Sequence, residues 1–264
     1  MIGLIIIGDE ILSGRREDKH LAKSIEILKQ RGLRVSWARY VGDEPAHITA
    51  QLRQALAGDD VVFSFGGIGA TPDDHTRACA GAAWGRELAL HPQARDLILA
   101  RRQTMSVEAG QVFDPAHPDT LRSLNMGCFP MGATLIPNPY NQIPGFSING
   151  RVHFLPGFPV MAWPMMAWVL DELHADLHGR DRQIEHSIIV FNLLESVITP
   201  MLVDLERQFE GVRVFSLPSE DHPVHGRHIE LGVKGNEPQV SEAFGWMRHQ
   251  LTLFGAVGGP IAVR

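Results

Sequence analysis

Cysteine is nearly absent: the 264 residues hold two, Cys79 and Cys128. Two thiols so far apart build neither a disulfide framework nor a cysteine-rich zinc site. They fit a reducing compartment and are read as small core residues. Excess positive charge is absent too. Lysine and arginine total 24 against 30 aspartates and glutamates, a net charge of -6, and no basic stripe stands out. Neither nucleic acid nor an anionic membrane is therefore the expected partner. Long apolar runs are missing. The opening "MIGLIIIG" has no basic start and is too short to cross a bilayer, so it reads as a buried strand rather than a signal peptide or a span. The expected location is cytoplasmic. There are no internal repeats, low-complexity tracts or long charge runs. What is left, 44% hydrophobic and 20% charged, suits one large domain followed by a small one.

The order of elements is legible as alternation. Residues 2–7 form a continuous apolar run, as a parallel strand buried on both faces requires. "GDEILSGRRED" reads as a polar turn. Residues 18–31 carry Leu21, Ile25 and Leu28 at helical spacing, with Gly32 as the stop. "LRVSWARYV" is a second strand. A helix follows with Ile48, Leu52, Ala55 and Leu56 inward, then "DDVVFSF" as a third strand, then a helix from Thr76 to Trp84 ending near Gly85. Residues 91–105 read as helix, 107–121 as loop, 132–159 as strand, turn, strand, turn, and 160–177 as a helix rich in Met and Trp. After Gly179 the pattern becomes strand, helix, strand, strand, helix. The expected fold class is α/β: a mostly parallel sheet with helices on both faces over 1–178, then a small α+β βαββα domain over 179–264.

In such sheets ligands bind at the carboxyl ends of the strands. Three acid-bearing turns, Asp9/Glu10, Asp43/Glu44 and Asp73/Asp74, fall at three such ends. The last belongs to "SFGGIGATPDDHT". Gly66, Gly67 and Gly69 can adopt backbone angles closed to other residues and carry no side chain to block a phosphate, and a helix N-terminus follows them. Thr71 offers a hydroxyl. Carboxylates beside an anion repel it unless a cation lies between. Glu10, Asp43, Asp73 and Asp74 are thus expected to hold a divalent metal (Mg²⁺, Mn²⁺ or Co²⁺), with K⁺ as a further candidate, and Asp43 and Asp74 to act in catalysis. Either Asp73 or Asp74 alone serves equally well as a helix cap. Asp74→Asn is expected to cost activity far more than stability.

Other clusters read more simply as structural. His222, His225 and His228 fit a solvated hairpin better than a metal site, and His174 and His178 fit a helix C-terminus. His75, Arg15 and Arg16 flank the acid turns and are equally compatible with ligand contact or with solvent. The stretch "AWPMMAW" holds more Trp and Met than one domain needs to bury, which points to a homodimer or higher homo-oligomer.

"GDEILSG", "VGDE", "GGIGATPDD" and "LPGFP" occur in this order, with the alternating sheet and the βαββα tail. Together they resemble the molybdopterin-binding-like domain of MogA/MoaB proteins and the CinA (competence/damage-inducible protein A) family, CinA being the better fit. The resemblance covers nearly the whole chain and implies a KH-like tail and a phosphate ligand at the glycine loop and at Pro156 and Gly157. It implies metal-dependent hydrolysis of a nucleotide diphosphate such as ADP-ribose or FAD. The alternatives are a molybdopterin-binding protein of cofactor biosynthesis, with molybdopterin as ligand, or a non-catalytic nucleotide- or pterin-binding module. Full-length CinA proteins carry a further nicotinamide mononucleotide deamidase domain, not expected within these residues. The chain departs from the family at Ala70, at Asn125-Met126 where a lysine-glutamine pair is usual, and at Val160 and Met161 where serine and glutamate are usual.

Overall fold

The computed structural model describes residues 1–180 and 183–263. They fall into two compact units, Met1–Arg180 and Asp181–Arg264.

The first unit is built on β1 (Ile2–Ile7), β2 (Trp37–Val41) and β3 (Val61–Phe65), which run parallel, with β1 in the middle. Every residue of β1 and β3 is buried. Alternation along β1 splits them between two cores. Ile5 and Ile7 face Ile48 and Leu52 of α3 (Pro45–Ala57) and Ala80 of α4 (Thr76–Trp84). Leu4 and Ile6 face the opposite way, toward Ile27 and Leu28 of α2 (His20–Lys29). Each such fully buried side chain contributes roughly 1.5–3 kcal/mol.

Helix α4 stops at Gly85, which takes the left-handed conformation a helix C-terminus favours. The sheet then extends through β6 (Thr134–Ile136), β7 (Gly145–Ile148) and β8 (Val152–Leu155). Its order is β2-β1-β3-β8-β7-β6, with β8 parallel to β3 and the last two pairings antiparallel. The mostly parallel α/β fold is as expected.

Several local expectations give way. Residues 9–12 are not a plain turn but a one-turn helix, α1 (Asp9–Leu12), whose first residues are acidic as the helix dipole favours. Ile25 is exposed, and α2 buries His20, Ser24, Ile27 and Leu28 instead. The second strand starts at Trp37, four residues late. The 91–105 helix continues as α5 (Pro92–Glu108), and the expected 107–121 loop holds the start of α6 (Pro118–Leu124). Two three-residue strands, β4 (Leu88–Leu90) and β5 (Cys128–Pro130), pair antiparallel away from the main sheet. Between residues 132 and 159 there are three strands rather than two.

Helix α7 (Pro159–Glu172) carries "AWPMMAW", and the unit's own core consumes that stretch. Ala162, Met165 and Met166 are fully buried and Met161, Trp163, Ala167 and Trp168 pack against them. It therefore gives no ground for self-association. His174 bonds to His153 (2.8 Å) and His178 to the Leu170 carbonyl (3.1 Å).

The second unit has β9 (Ile184–Phe191), α8 (Glu195–Gln208), β10 (Arg213–His222), β11 (Gly226–Gly235) and α9 (Gln239–Leu253). It then adds an unexpected strand, β12 (Val257–Val263), antiparallel to β9. The motif is βαββαβ, with sheet order β10-β11-β9-β12. Ile198, Leu202 and Leu205 of α8 and Phe244 and Met247 of α9 pack on Ile188, Val190, Leu231 and Val233. On the β10–β11 hairpin the rings of His222 and His225 stack, and His228 meets both edge-on. Among the described residues, no group of three or more His, Cys, Asp or Glu has the arrangement to hold a metal ion. Nor is any described helix long and apolar enough to cross a membrane.

Candidate functional site

Because β1, β2 and β3 are parallel, the loops after them share one edge of the sheet. They open on a cavity of about 830 Å³, which Glu10, Asp43, Asp73 and Asp74 all line. The glycine loop, Pro156 and Gly157 line it too.

The glycines are required first by the backbone. Gly66 has φ +100°, and a Cβ there would sit 2.4 Å from the Ile7 carbonyl oxygen. Gly67 has φ +68°, and its Cβ would lie 2.2 Å from Thr76 Oγ1. Thr76 sews the loop onto α4, donating its hydroxyl to the Gly66 carbonyl (3.0 Å) and its N–H to that of Gly67 (2.9 Å). Gly157 passes so near that its Cβ would touch the Gly66 Cα at 3.4 Å.

The hydrogen bonds redistribute the expected roles. Asp74 accepts from Gly69 N–H (2.9 Å), Thr71 N–H (2.8 Å) and the Thr71 hydroxyl (2.5 Å). Gly66 N–H donates to the Leu155 carbonyl (3.0 Å). The amides of Gly66, Gly69 and Thr71 are thus spent within the protein, and so is the Thr71 hydroxyl proton. Within residues 66–71, the N–H groups of Gly67, Ile68 and Ala70 have no acceptor among the described residues. Arg77, barely exposed on α4, fixes the loop from behind by donating to the carbonyls of Gly69 (2.6 Å) and Asn125. Burial lowers its pKa and nearby Asp74 partly restores it.

Across the cavity, Asp9 and Asp43 lock together. Asp9 N–H donates to Asp43 Oδ2 (2.8 Å) and Asp43 N–H to Asp9 Oδ1 (3.1 Å). Gly42 is needed between them, since a Cβ there would lie 2.5 Å from Asp9 Oδ1. Burial raises the Asp43 pKa. The bond from Asp9 N–H opposes that, and the charges of Asp9, Glu10 and Asp73 add to the rise. Three carboxylates raising the pKa of a fourth mark a place where a cation relieves repulsion. The donors are all oxygen. They suit a hard divalent ion that takes one or two carboxylates and fills its remaining positions with water and phosphate oxygens. Glu10, Asp43 and Asp73 line the cavity without being drawn together into a three-residue metal site, and Asp74 is drawn into the loop.

Some lining residues left no trace in the sequence pattern. His20 stacks on Phe65 (centroids 4.5 Å) and its Nε2 meets the Gly157 carbonyl (3.1 Å), while burial lowers its pKa. Lys19 supplies positive charge beside Arg16, which the sequence had singled out. Asn138, Asn141 and Phe158 form the far wall. Asp18, which accepts from the N–H groups of His20 and Leu21, was the only pointer to His20 as the first residue of a helix. Of the departures from the family pattern, Ala70, Met126 and Met161 line the cavity and the Asn125 carbonyl is Arg77's acceptor.

Residues 3–175 match a family model described as a probable molybdopterin binding domain. The chain belongs to that family. It is also similar to CinA-like proteins. That of Geobacter metallireducens is 33% identical over 221 residues, covering 80% of this chain and 50% of that protein. That of Mycobacterium tuberculosis is 31% identical over 216 residues, covering 79% and 50%. The chain thus spans about half the length of the curated relatives it matches. A crystal structure of CinA from Thermoplasma acidophilum, described as of unknown function, superposes with a TM-score of 0.54 at 27% identity. It covers 65% of this chain and 96% of that one. The resemblance read from the motifs is borne out.

Proposed function

We propose that the cavity binds a phosphate-bearing nucleotide or pterin, and that its reaction is hydrolysis of a phosphoanhydride in a nucleotide diphosphate such as ADP-ribose or FAD. The observation that carries this reading is that Gly67, Ile68 and Ala70, whose amides have no acceptor among the described residues, line one cavity together with an acid rim. The amides take the phosphate oxygens, and Arg77 and Thr76 hold them in place. One or two of the carboxylates of Glu10, Asp43 and Asp73 would hold a divalent cation (Mg²⁺, Mn²⁺ or Co²⁺), which would neutralise phosphate charge and make a bound water more acidic. Asp43 accepts a proton from the attacking water at its carboxylate. Ile143, Pro144 and Pro156 keep bulk water away from the ligand.

A second reading, binding of a pterin phosphate without hydrolysis, is supported by the family's description as a probable molybdopterin binding domain. The test is turnover of ADP-ribose, FAD and NADH with each of the three ions, before and after exhaustive EDTA treatment. Release of nucleoside monophosphate that EDTA abolishes supports hydrolysis. Activity surviving EDTA overturns the metal-dependent reading. Binding measured by calorimetry without turnover favours the second.

A further inference from the structure

The phosphate chemistry leaves one wall of the cavity unused, the loop between β6 and β7. There Asn138 is buried and fully spent. Its amide nitrogen donates to Asn141 Oδ1 (2.7 Å) and the Ile143 carbonyl (2.9 Å), and its oxygen accepts from Tyr140 N–H (3.0 Å). Asn141 is different. Its Oδ1 also accepts from the backbone N–H of Ile143 at 3.0 Å. A backbone N–H can only donate, so this bond fixes which end of the Asn141 amide is oxygen. The amide nitrogen therefore faces the other way, where its acceptor is Met161 Sδ at 3.3 Å. A thioether is a weak acceptor. The second N–H has no acceptor among the described residues. Asn141 and Met161 both line the cavity beside Ile143, Pro144 and Phe158, and Phe158 keeps 59% of its surface exposed.

We infer that Asn141 reads the edge of the ligand's planar heterocycle, its Nδ2 donating to a ring carbonyl or ring nitrogen while Phe158 offers a surface to the ring face. This rests on the proposed phosphate-bearing heterocycle as ligand. On an otherwise apolar wall, a single oriented donor discriminates between rings. A ring that presents an acceptor replaces the weak sulfur contact with a full hydrogen bond, and a phosphate without a ring gains nothing.

The test is Asn141→Asp, which keeps an oxygen for Asn138 and Ile143 and turns the cavity-side donor into an acceptor. Calorimetry with FMN, AMP and inorganic phosphate reads the outcome. FMN carries a fused oxo-heterocycle, AMP a purine, and phosphate no ring. The ratio of heterocycle affinity to phosphate affinity cancels the charge the variant adds. For whichever of FMN and AMP the wild type binds more tightly, this ratio is expected to fall about tenfold or more. In Met161→Leu, which removes only the thioether, heterocycle affinity is expected to hold or rise. An unchanged ratio in Asn141→Asp overturns the inference, because the side chain then serves only its own loop. If the wild type binds phosphate and neither ring, the inference falls and the phosphate site stands. If it binds none of the three, the functional reading falls with it.

Discussion

A carboxylate that accepts three hydrogen bonds from its own loop supports structure before it supports chemistry. Asp74 takes both oxygens' worth of bonds from Gly69 and Thr71, so removing its charge is expected to cost stability as well as activity. Asparagine would keep one acceptor and set an NH₂ against a donor. Asp74→Asn is expected to lower the unfolding free energy of the metal-free protein by about 1–3 kcal/mol. Asp73 is exposed and faces the same cavity. Asp73→Asn is expected to melt close to the wild type in the metal-free protein. If Asp73 holds the cation, turnover of ADP-ribose drops on the order of a hundredfold. Melting curves of the two metal-free variants beside their turnover separate the roles. An Asp74→Asn protein that melts with the wild type would show that the carboxylate does not hold the loop.

Secondary elements were legible where local chemistry agreed with the tertiary outcome. Thr76–Trp84 with its stop at Gly85 is one case, and the Pro45–Ala57 helix with its inward Ile48, Leu52 and Ala55 is another. The acid turns and the glycine loop were legible because three parallel strand ends must share an edge. Three-residue strands such as Leu88–Leu90 carry too few residues for a period, and Val257–Val263 is broken by glycines and a proline. Arg77, His20 and Asn141 were invisible for a different reason: the contacts of Arg77 with Asn125, of His20 with Phe65 and Gly157, and of Asn141 with Met161 are set by distant chain, not by spacing. The loop's glycines allow a test at this scale. At Gly66, an added Cβ meets both an unfavourable φ and the Ile7 carbonyl, whereas Gly14, at φ +71°, has nothing within 4 Å. Gly14→Ala is expected to cost about 1–2 kcal/mol, the left-handed penalty alone. Gly66→Ala is expected to cost more than that, because β1 must also shift. Urea midpoints measure both. Equal losses would mean the loop moves away from Ile7 freely and is no rigid cradle.

For the molecule as a whole, histidine burial sets the acid side of the stability profile. His153, fully buried on β8, is bonded through Nδ1 to the Ser147 hydroxyl (2.5 Å) and through Nε2 to His174 Nε2 (2.8 Å). Burial, and then His174, push its pKa down to about 3 from 6.5. Burial also lowers His174, against a rise from Asp176, and lowers His20. Above pH 6.5 these rings are neutral folded or unfolded and titration contributes nothing. As pH falls below 6.5, the unfolded chain binds protons that the folded protein refuses. Stability is then lost at about 1.4 kcal/mol per pH unit for each such ring, until pH reaches the folded pKa. His153 alone is expected to cost about 2 kcal/mol between pH 6.5 and 5. Carboxylates blur this window little. Asp171, held below its ordinary value by Arg31, contributes only near and below pH 3.8. Asp43, with its raised pKa, has the opposite sign and recovers some stability as pH falls. Urea unfolding at pH 7.5, 6.5, 5.75 and 5.0 checks this. Tryptophan fluorescence is the signal, since Trp37, Trp84, Trp163 and Trp168 report the first unit. His153→Leu is expected to be less stable at pH 7.5, because Ser147 and His174 lose a partner, but to show a shallower acid slope than the wild type. A wild-type profile flat from pH 6.5 to 5 would mean that the His153–His174 pair takes up its proton in the folded state, and with it falls the account of this core as a dry one.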